Sequence, residues 1–351
     1  MNAKLLICLL LLPISALAQG FAGLGTTADG FAVPVRGAPF SFPADHGPHP
    51  KYRIEWWYVT ANLEDADGND YGVQWTLFRS ALAPQDGEGW STPQLWMGHA
   101  ALTTAEEHHF AERFGRGGIG QAGATPEPFE AWIDEWAIES LGESEDAFDV
   151  LRMTASAEDF AYDLNLSANG PLIFHGDRGY SVKSADGQAS NYYSQPFYEV
   201  AGTLPLPDGE VEVTGSAWLD REYSSQPLSE SQTGWDWFSL HFESGERLMA
   251  FQLRDREGEA FTSGTWILPD GRTEALKPGE AVVSPLGSED VAGRDVPVRW
   301  RVEVAERGVD IETTPLNPQS WNGSVFAYWE GPIFVTGSHT GRGYLEMTGY
   351  Q

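Results

Sequence analysis

Cysteine is nearly absent from this sequence of 351 residues, and the single one, Cys8, lies in an N-terminal leader pattern. The first 18 residues carry one lysine, an apolar run interrupted by Pro13, and small residues at Ala16 and Ala18, as secretory signal peptides do. We therefore predict a signal peptide at residues 1–18, cleaved near Ala18. The mature chain would then contain no disulfide and no thiolate, and its expected location is the periplasm or the cell exterior.

Long apolar runs and basic residues are scarce as well. After the leader, no segment approaches the roughly 20 apolar residues that a helix needs to cross a bilayer. The 21 Lys and Arg residues stand against 51 Asp and Glu, which gives a formal net charge of −30. Such a charge repels nucleic acid and anionic membrane surfaces. The sequence therefore predicts neither a transmembrane segment in the mature chain nor a nucleic-acid partner.

Helical periodicity is also missing, whereas strand patterns are frequent. The odd-numbered positions of 71-YGVQWTLF-78 are all large and apolar, which is the period-2 pattern of a half-buried strand. Comparable segments occur at 211–223, 247–254, 298–305 and 325–330. Turn pairs typical of hairpins separate the strands, at Asp67-Gly68, Asp208-Gly209, Ser244-Gly245 and Asp270-Gly271. We predict a mostly antiparallel β-protein.

The two halves of the chain echo each other. Glu55-Trp56-Trp57-Tyr58 opens a predicted hairpin that ends at Arg79, and Trp235-Asp236-Trp237-Phe238 opens another that ends at Arg254. Seven of the 14 tryptophans lie at or before Trp136 and seven at or after Trp218. This distribution predicts two related β-modules. Propeller blades are the alternative, but no repeat of about 40–50 residues is found.

The predicted division of the chain follows from these patterns. After the signal peptide, residues 19–50 are rich in Gly, Ala and Pro and are predicted to be an extended lead-in. Residues 51–225 form the predicted N-terminal domain and residues 226–351 the predicted C-terminal domain.

Several motifs, in order along the chain, carry a resemblance to a known family: 43-PADHGPHPKYRIEWWYVTANL-63, 74-QWTLFRSAL-82, Gly98-His99-Ala100, 189-ASNYYS-194, 215-GSAWLDREYSS-225, 234-GWDWFSL-240, 328-YWEGPIFVTG-337 and 343-GYLEMTGY-350. Together they resemble the AttH and carotenoid 1,2-hydratase family of lipocalin-like proteins. The resemblance implies an all-β fold of two consecutive lipocalin-like (calycin) antiparallel β-barrels packed together. It further implies a hydrophobic small-molecule ligand and, for exported bacterial members, association with an ABC transporter.

A lipocalin-like barrel can hold one small apolar molecule between its inward-facing side chains. We predict an aromatic-lined site, inside a barrel or in the groove between barrels, with core packing as the alternative for each single tryptophan. The predicted ligand-binding residues are Trp57, Trp75, His99, Trp235, Trp237, Glu222 and Trp329. The histidines show none of the spacings that converge on zinc, and no nucleotide-binding loop is present, so we predict no metal and no cofactor.

Hydratase chemistry needs an acid that protonates a carbon–carbon double bond, and Asp220 is the best candidate. By alternation it shares one strand face with Trp218 and Glu222, and neighbouring indole rings would raise the pKa of its carboxyl. The resemblance aligns Asp220 with the catalytic aspartate of the hydratases and Trp218 with a tyrosine. Asn191 and Tyr193 stand where those enzymes carry a histidine and a tryptophan, which completes the predicted catalytic set of Asp220, Trp218, Tyr193 and Asn191.

An alternative role for Asp220 is structural, with Arg221 balancing the carboxylates on either side of it. A structural role is also predicted for Glu55, which shares a strand face with Arg53 and would therefore form an ion pair with it. Such pairing lowers the pKa of a carboxyl and makes it a poor general acid. Glu330 is predicted to be structural in the same way.

Three functions remain open on the sequence. The first is an exported protein that binds a lipid-like or isoprenoid molecule, and the second is a hydratase, isomerase or cyclase that acts on such a molecule through Asp220. The third, a secreted glycan-active protein, is suggested by the many tryptophans and carboxylates. A hydrolase of the Gly-x-Ser-x-Gly type is not supported, because that motif is absent.

Overall fold

The structure is a computed structural model that describes residues 28–85, 87–207, 209–226, 228 and 231–350. The predicted signal peptide and the start of the predicted lead-in lie outside the described residues. Where the chain is described it is almost entirely β, with single 3-10 turns at Ala44–His46, Gly89–Ser91 and Ala305–Arg307. No helix in these described ranges is long and apolar enough to cross a membrane.

The first sheet contains thirteen strands, all paired antiparallel, in the order β4-β3-β2-β1-β13-β12-β9-β8-β7-β6-β5, with β10 and β11 also on β12. Its strands are β1 (Ile54–Asp65), β2 (Asp70–Ala81), β3 (Gln94–Thr103), β4 (His108–Arg116), β5 (Ala122–Pro126), β6 (Phe129–Ile133), β7 (Trp136–Ser140), β8 (Val150–Ser156), β9 (Ala161–Ala168), β10 (Ile173–Phe174), β11 (Tyr180–Val182), β12 (Ala189–Leu206) and β13 (Gly209–Ser224). The two edge strands of this sheet, β4 and β5, approach each other closely. A Cβ on Gly115 of β4 would lie 2.8 Å from the Cβ of Ala122 of β5. The sheet is therefore a nearly closed barrel.

The second sheet contains ten strands in the order β17-β16-β15-β14-β23-β22-β20-β19-β18, with β21 also on β22. Its strands are β14 (Gln232–Phe242), β15 (Arg247–Asp255), β16 (Phe261–Ile267), β17 (Thr273–Leu276), β18 (Val282–Val291), β19 (Arg294–Val304), β20 (Val309–Pro315), β21 (Trp321–Asn322), β22 (Tyr328–Gly337) and β23 (Gly341–Met347). This sheet is a half-barrel. The predicted all-β fold of two packed lipocalin-like barrels is confirmed, with the second barrel only half closed.

Strands β1, β12 and β13 are buried on both faces along the segments that meet. Because side chains alternate along a strand, Trp57 and Leu219 point into the barrel while Tyr58 and Trp218 point toward the second sheet. These strands are therefore apolar or aromatic at nearly every position. The faces that look away from the barrel are the ones available for a site between the sheets.

The buried side chains form separate cores. One fills the barrel and includes Trp57 and Trp75, and a second fills the concave face of the half-barrel and includes Trp300 and Trp329. A third, called here the inter-sheet cluster, joins the two sheets and consists of Tyr58, Ile173, Tyr192, Phe197, Trp218, Trp237, Met249, Phe251, Leu253, Ile267 and Tyr344. Burial of each such side chain contributes about 1.5–3 kcal/mol, so this cluster holds the two sheets together.

Gly72 of β2 lies at a close contact between the two sheets and gives a test of this packing. A Cβ at this position would lie 2.6 Å from the Pro332 Cδ and 2.9 Å from the Tyr344 hydroxyl, both in the second sheet. We expect Gly72→Ala to lower the free energy of unfolding by about 1–3 kcal/mol, because the added methyl must push the sheets apart. Urea unfolding at neutral pH measures the loss.

The matched control is Gly287→Ala in β18, where a Cβ would have open space around it. Its expected cost is below about 0.5 kcal/mol. Equal stability of the two variants would contradict the close contact between the sheets at Gly72.

Candidate active site

A cavity of about 100 Å³, partly open to solvent, lies between the two sheets beside the inter-sheet cluster. Most of its wall is aromatic or aliphatic, including Trp56, Tyr58, Trp235, Trp237, Phe251 and Leu253. Its ionisable groups, besides the phenol of Tyr58, are Lys183, Asp220, Glu222 and Glu346. A cavity of about 150 Å³ accepts a benzene ring, so this space suits one end of a larger apolar molecule whose remainder lies at the mouth.

Asp220 reaches the cavity from the middle of β13, which is hydrogen-bonded on both sides. Its register partners are Tyr58 on β1 and Ser194 on β12. The same strand face carries Trp218 and Glu222, as alternation predicts. With 3% of its surface exposed, Asp220 is held in a rigid and nearly dry position at the cavity wall.

The Asp220 carboxyl is bonded by three uncharged donors. The Tyr192 hydroxyl lies 2.7 Å from Oδ2, the Trp218 Nε1 lies 2.6 Å from Oδ1, and the Ser194 hydroxyl also bonds Oδ1. In the described part of the chain, Asp220 forms no ion pair with a cation. This environment differs from that of a structural carboxylate, which is normally matched by Arg or Lys.

The pKa of Asp220 is raised to about 7, chiefly by burial. The charge of Glu222 acts in the same direction, and the bonds from Ser194, Tyr192 and Trp218 act in the opposite one. A carboxyl with such a pKa is partly protonated at neutral pH. It can therefore donate a proton to a bound molecule, which an ordinary aspartate at neutral pH cannot do.

His175, between β10 and β11, stands behind the aspartate. Its Nε2 lies 2.6 Å from the Ser194 hydroxyl oxygen and its Nδ1 lies 2.9 Å from the Thr265 hydroxyl. Because Ser194 donates to Asp220, its oxygen accepts from the imidazole, which fits a neutral ring protonated on Nε2. Burial holds the pKa of His175 well below its usual value. The histidine thus orients Ser194 without adding a charge.

Glu222 is paired with Lys183, whose Nζ lies 2.8 Å from Oε1. The same ammonium lies 4.6 Å from the ring centroids of Tyr192 and Phe251. Cation–π contacts of this kind position the lysine against the cavity wall. Glu222 is therefore a neutralised carboxylate, whereas Asp220 beside it is not.

Glu346 of β23 faces Asp220 from the second sheet. The Trp235 Nε1 donates to its Oε1 at 2.6 Å. Burial raises the pKa of Glu346 to about 7, and the charges of Asp220 and Glu222 raise it as well. The indole of Trp237 donates to the Tyr192 hydroxyl at 3.2 Å and so joins the two sheets at the cavity.

A family model and one solved structure identify the family of this chain. The model of the AttH-like family matches residues 33–350. The chain belongs to the AttH-like family. A protein described as an AttH, from Nitrosomonas europaea, is 32% identical and superposes with a TM-score of 0.80 over 92% of this chain and 100% of that chain.

Two further solved structures share the fold with this AttH-like chain. Kievitone hydratase from Nectria haematococca is 17% identical, with a TM-score of 0.68 over 92% of this chain and 95% of that chain. CghA, solved with Sch210972, is 11% identical, with a TM-score of 0.55 over the same two shares. The search of curated proteins found no match.

Within this AttH-like fold, five of the predicted site residues meet at the cavity. Asp220, Glu222, Trp235 and Trp237 line it, and Trp218 bonds Asp220 from the adjoining wall. They come from two strands, β13 in the first sheet and β14 in the second, so only the packing of the sheets brings them together.

Asn191 and Tyr193 do not join this group, and the predicted catalytic set is corrected accordingly. They lie on the opposite face of β12, because Tyr192 and Ser194 take the positions beside Asp220. Tyr193 points into the barrel, where its hydroxyl lies 2.9 Å from Nδ1 of His46. Which face of β12 meets Asp220 could not be predicted from the sequence, since aromatic residues occur on both faces.

Four predicted ligand-binding residues lie away from the cavity. Trp57 and Trp75 are fully buried in the barrel core and Trp329 in the core of the half-barrel. The His99 ring is fixed at 2.8 Å from the Tyr328 hydroxyl and at 3.1 Å from the Glu112 carboxylate. The three tryptophans pack in the two cores, which is the alternative stated above for each single tryptophan. His99 has a hydrogen-bonding role.

The ion pairs predicted for two glutamates, Glu55 and Glu330, are also corrected. Glu55 is paired with Arg79 and Arg221, not with Arg53. Arg79 is its register partner on β2, and Arg221 lies on β13, two residues from its register partner Tyr223. Glu330 is not ion-paired in the described part of the chain; it accepts a bond from the Tyr58 hydroxyl, and burial together with Glu346 holds its pKa well above the usual value.

Sequence reasoning missed several groups at the site, namely Tyr58, His175, Lys183, Tyr192, Ser194 and Glu346. The motif 189-ASNYYS-194 contained two of them on the strand face opposite to the predicted pair. The alternation of 343-GYLEMTGY-350 placed Glu346 among buried positions, and a lone acidic residue there is a signal that could have identified it. No group of three or more His, Cys, Asp or Glu that could hold a metal occurs within the described ranges.

Proposed function

We propose that this AttH-like protein is an acid catalyst that adds water to a carbon–carbon double bond of a hydrophobic, unsaturated molecule held between the two sheets. The observation that carries the proposal is Asp220, a buried carboxyl without a cationic partner in the described residues, at the wall of an apolar cavity. A purely structural aspartate gains nothing from a site that keeps it partly protonated. A general acid requires such a site.

The cavity wall supports the rest of the proposed reaction. Protonation of an alkene produces a carbocation, and the faces of Trp56, Trp235 and Trp237 offer the negative π-surface that attracts a cation. The mostly apolar wall favours a lipid-like or isoprenoid substrate over a glycan, whose many hydroxyls need hydrogen-bonding partners. The shared fold of kievitone hydratase is consistent with hydration chemistry at such a site.

The first sequence hypothesis, a carrier that binds the same class of molecule without converting it, is the second candidate. It is favoured by the apolar cavity but leaves the environment of Asp220 unexplained. Export to the periplasm and association with an ABC transporter remain predictions from the sequence.

The test is conversion of two defined probes, kievitone and the acyclic polyene lycopene, by the purified protein in D₂O. We expect at least one probe to gain the elements of water, with one non-exchangeable deuterium on carbon, because the proton added by Asp220 comes from solvent. Liquid chromatography with mass spectrometry measures both changes. Retention of a probe with neither hydration nor deuterium on carbon would support the carrier and contradict the catalyst.

A further inference from the structure

Glu346 and Asp220 line the same cavity from different sheets. The register partners of Glu346 are Trp237 on β14 and Glu330 on β22. Its carboxyl therefore lies on the same face as the indole of Trp237, and the bond from Trp235 fixes its Oε1. Glu346 itself lines the cavity.

The two carboxyls differ in their access to water. Asp220 is buried at 3% exposure, whereas Glu346 keeps part of its surface open within the cavity. An alkene carbon must meet the acid in a dry place, but the water that adds to the cation must enter from solvent. Glu346 stands on the wetter side and Asp220 on the drier side of the same cavity.

Several carboxyls surround Glu346, and repulsion among them favours a state in which they share a single negative charge. Asp220 and Glu222 face it from β13 and Glu330 from β22, and like charges directly opposed on neighbouring strands destabilise each other. The cation at this cavity, Lys183, is already bound to Glu222. The phenols of Tyr58 and Tyr192 and the neutral ring of His175 add no charge at neutral pH. Such a set suits one protonated and one ionised member, as acid–base pairs require.

We propose that Glu346 is the second catalytic residue of the site, the base that takes a proton from the water as it adds to the substrate. This inference rests on the proposed hydration. It assigns the acid to Asp220 and the base to Glu346, so that each sheet contributes one of the two groups.

The electrons and protons of the step balance without a co-reactant. The O–H bond of protonated Asp220 breaks while the π-electrons of the alkene form a C–H bond, which leaves a cation on the neighbouring carbon. A water oxygen forms a C–O bond to that carbon, and one O–H bond of the water breaks as its proton moves to the Glu346 carboxylate. Exchange with solvent then returns a proton to Asp220 and removes one from Glu346.

The first test needs no substrate. In protein labelled with ¹³C at the glutamate carboxyls, we expect the Glu346 signal, assigned by its loss in Glu346→Gln, to titrate near pH 7. In Asp220→Asn the midpoint should fall, because the neighbouring charge is removed. Titration near the ordinary glutamate value of about 4.3 in wild-type protein would overturn the assignment, since such a group could not share a proton with Asp220.

The second test separates the two chemical steps with the probes kievitone and lycopene in D₂O. We expect Glu346→Gln to lower hydration by about 10²–10⁴-fold while deuterium still enters the recovered alkene, because Asp220 can protonate and deprotonate carbon without the base. Glu312→Gln, an exposed glutamate of β20 in the same sheet, is the matched control and should leave hydration unchanged.

The outcomes distinguish the two proposals. If Glu346→Gln hydrates at the wild-type rate, Glu346 is not the base, and the proposed hydration through Asp220 stands. If hydration and deuterium entry disappear together in Glu346→Gln but persist in wild type, Glu346 acts in protonation and the division of roles is wrong. If wild type converts neither probe and labels neither, both proposals are overturned.

Discussion

Asp220→Asn is expected to abolish hydration, with a loss of about 10²–10⁴-fold in turnover, while ligand retention stays within about threefold of wild type. Asparagine keeps the shape of the side chain and a carbonyl oxygen that can accept from Ser194 and Trp218, while its amide N–H can donate to the Tyr192 hydroxyl oxygen. It cannot release a proton to carbon near neutral pH. Deuterium entry into the recovered alkene should disappear together with hydration, because both begin with the same proton transfer.

Binding is measured separately with the neutral fluorophore N-phenyl-1-naphthylamine, whose emission increases in an apolar cavity. The matched control is Asp159→Asn, an exposed aspartate of the first sheet's loops, which should match wild type in both assays. Full hydration activity in Asp220→Asn would refute a catalytic role for this carboxyl. Loss of fluorophore binding together with loss of activity would point to a collapsed cavity and would remove the support for acid catalysis.

The same variant has a defined pH signature. Burial raises the folded-state pKa of Asp220 to about 7, above the unfolded value of about 3.9. The stability that the protonated group provides is thus fully present below about pH 4 and is lost as pH rises through about 7. Asp220→Asn lacks this loss, so at pH 8 it should be no less stable than wild type in urea unfolding. Wild-type hydration should decline above about pH 7, as the acid becomes ionised.

The face of β13 could be predicted from the sequence because the strand carries polar and apolar residues in alternation. The alternation predicts that Trp218, Asp220 and Glu222 share one face of the strand, and they do so in the structure. The internal echo between the two halves was visible for the same reason: each hairpin opens with aromatic residues and ends in an arginine. Those arginines, Arg79 and Arg254, bond acidic residues of the opening strands, Glu55 and Asp236.

The faces of β1 and β12 could not be predicted, because both strands are buried on two sides. In Trp56-Trp57 and in Tyr192-Tyr193 the same residue type occupies both faces, and only the register of β1 and β12 against β13 shows which one meets Asp220. A further irregularity between Gln195 and Tyr198 shifts the β12 register. Alternation alone therefore does not show which of two adjacent residues on β1 or β12 lies on the same face as Asp220.

Groups that reach the site from distant segments left no signal in the sequence near Asp220. His175 lies next to a strand of two residues, and Glu346 lies 126 positions beyond Asp220 in the other sheet. Their positions depend on packing through the inter-sheet cluster. This is also why Glu55 was assigned the wrong cation: Arg53 is close in sequence, whereas Arg79 and Arg221 are its neighbours across the sheet.

Glu55→Gln is expected to be the most destabilising of the substitutions considered, with a loss of about 3–5 kcal/mol in the free energy of unfolding. Glu55 is fully buried between the guanidinium groups of Arg79 and Arg221, which are buried as well. The backbone N–H of His49 donates to both oxygens of the carboxylate, and its ring Nδ1 lies 3.1 Å from Oε2. Without the negative charge, two buried cations on the strands to either side of β1 would be left uncompensated.

The control for this variant lies on the same strand. Glu64→Gln removes a carboxylate whose partner Arg342 lies 2.7 Å away in an exposed ion pair, and its expected cost is at most about 1 kcal/mol. Guanidinium chloride unfolding at pH 7 measures both variants. A cost for Glu55→Gln no larger than that for Glu64→Gln would contradict a structural role for the buried cluster.

The pH dependence of stability separates this cluster from the cavity carboxyls. Burial alone would raise the pKa of Glu55, but Arg79 and Arg221 hold it well below the usual value. The stability that Glu55 provides is thus present above the unfolded pKa of about 4.3 and is lost as pH falls through the lower folded value. Wild type should therefore lose stability below about pH 4 by a process that Glu55→Gln lacks. Asp220→Asn should retain that acid-side loss and lack only the contribution of Asp220 to the loss between about pH 4 and 7. The pKa of Glu55 is lowered by its two arginines, whereas the pKa of Asp220 is raised by burial.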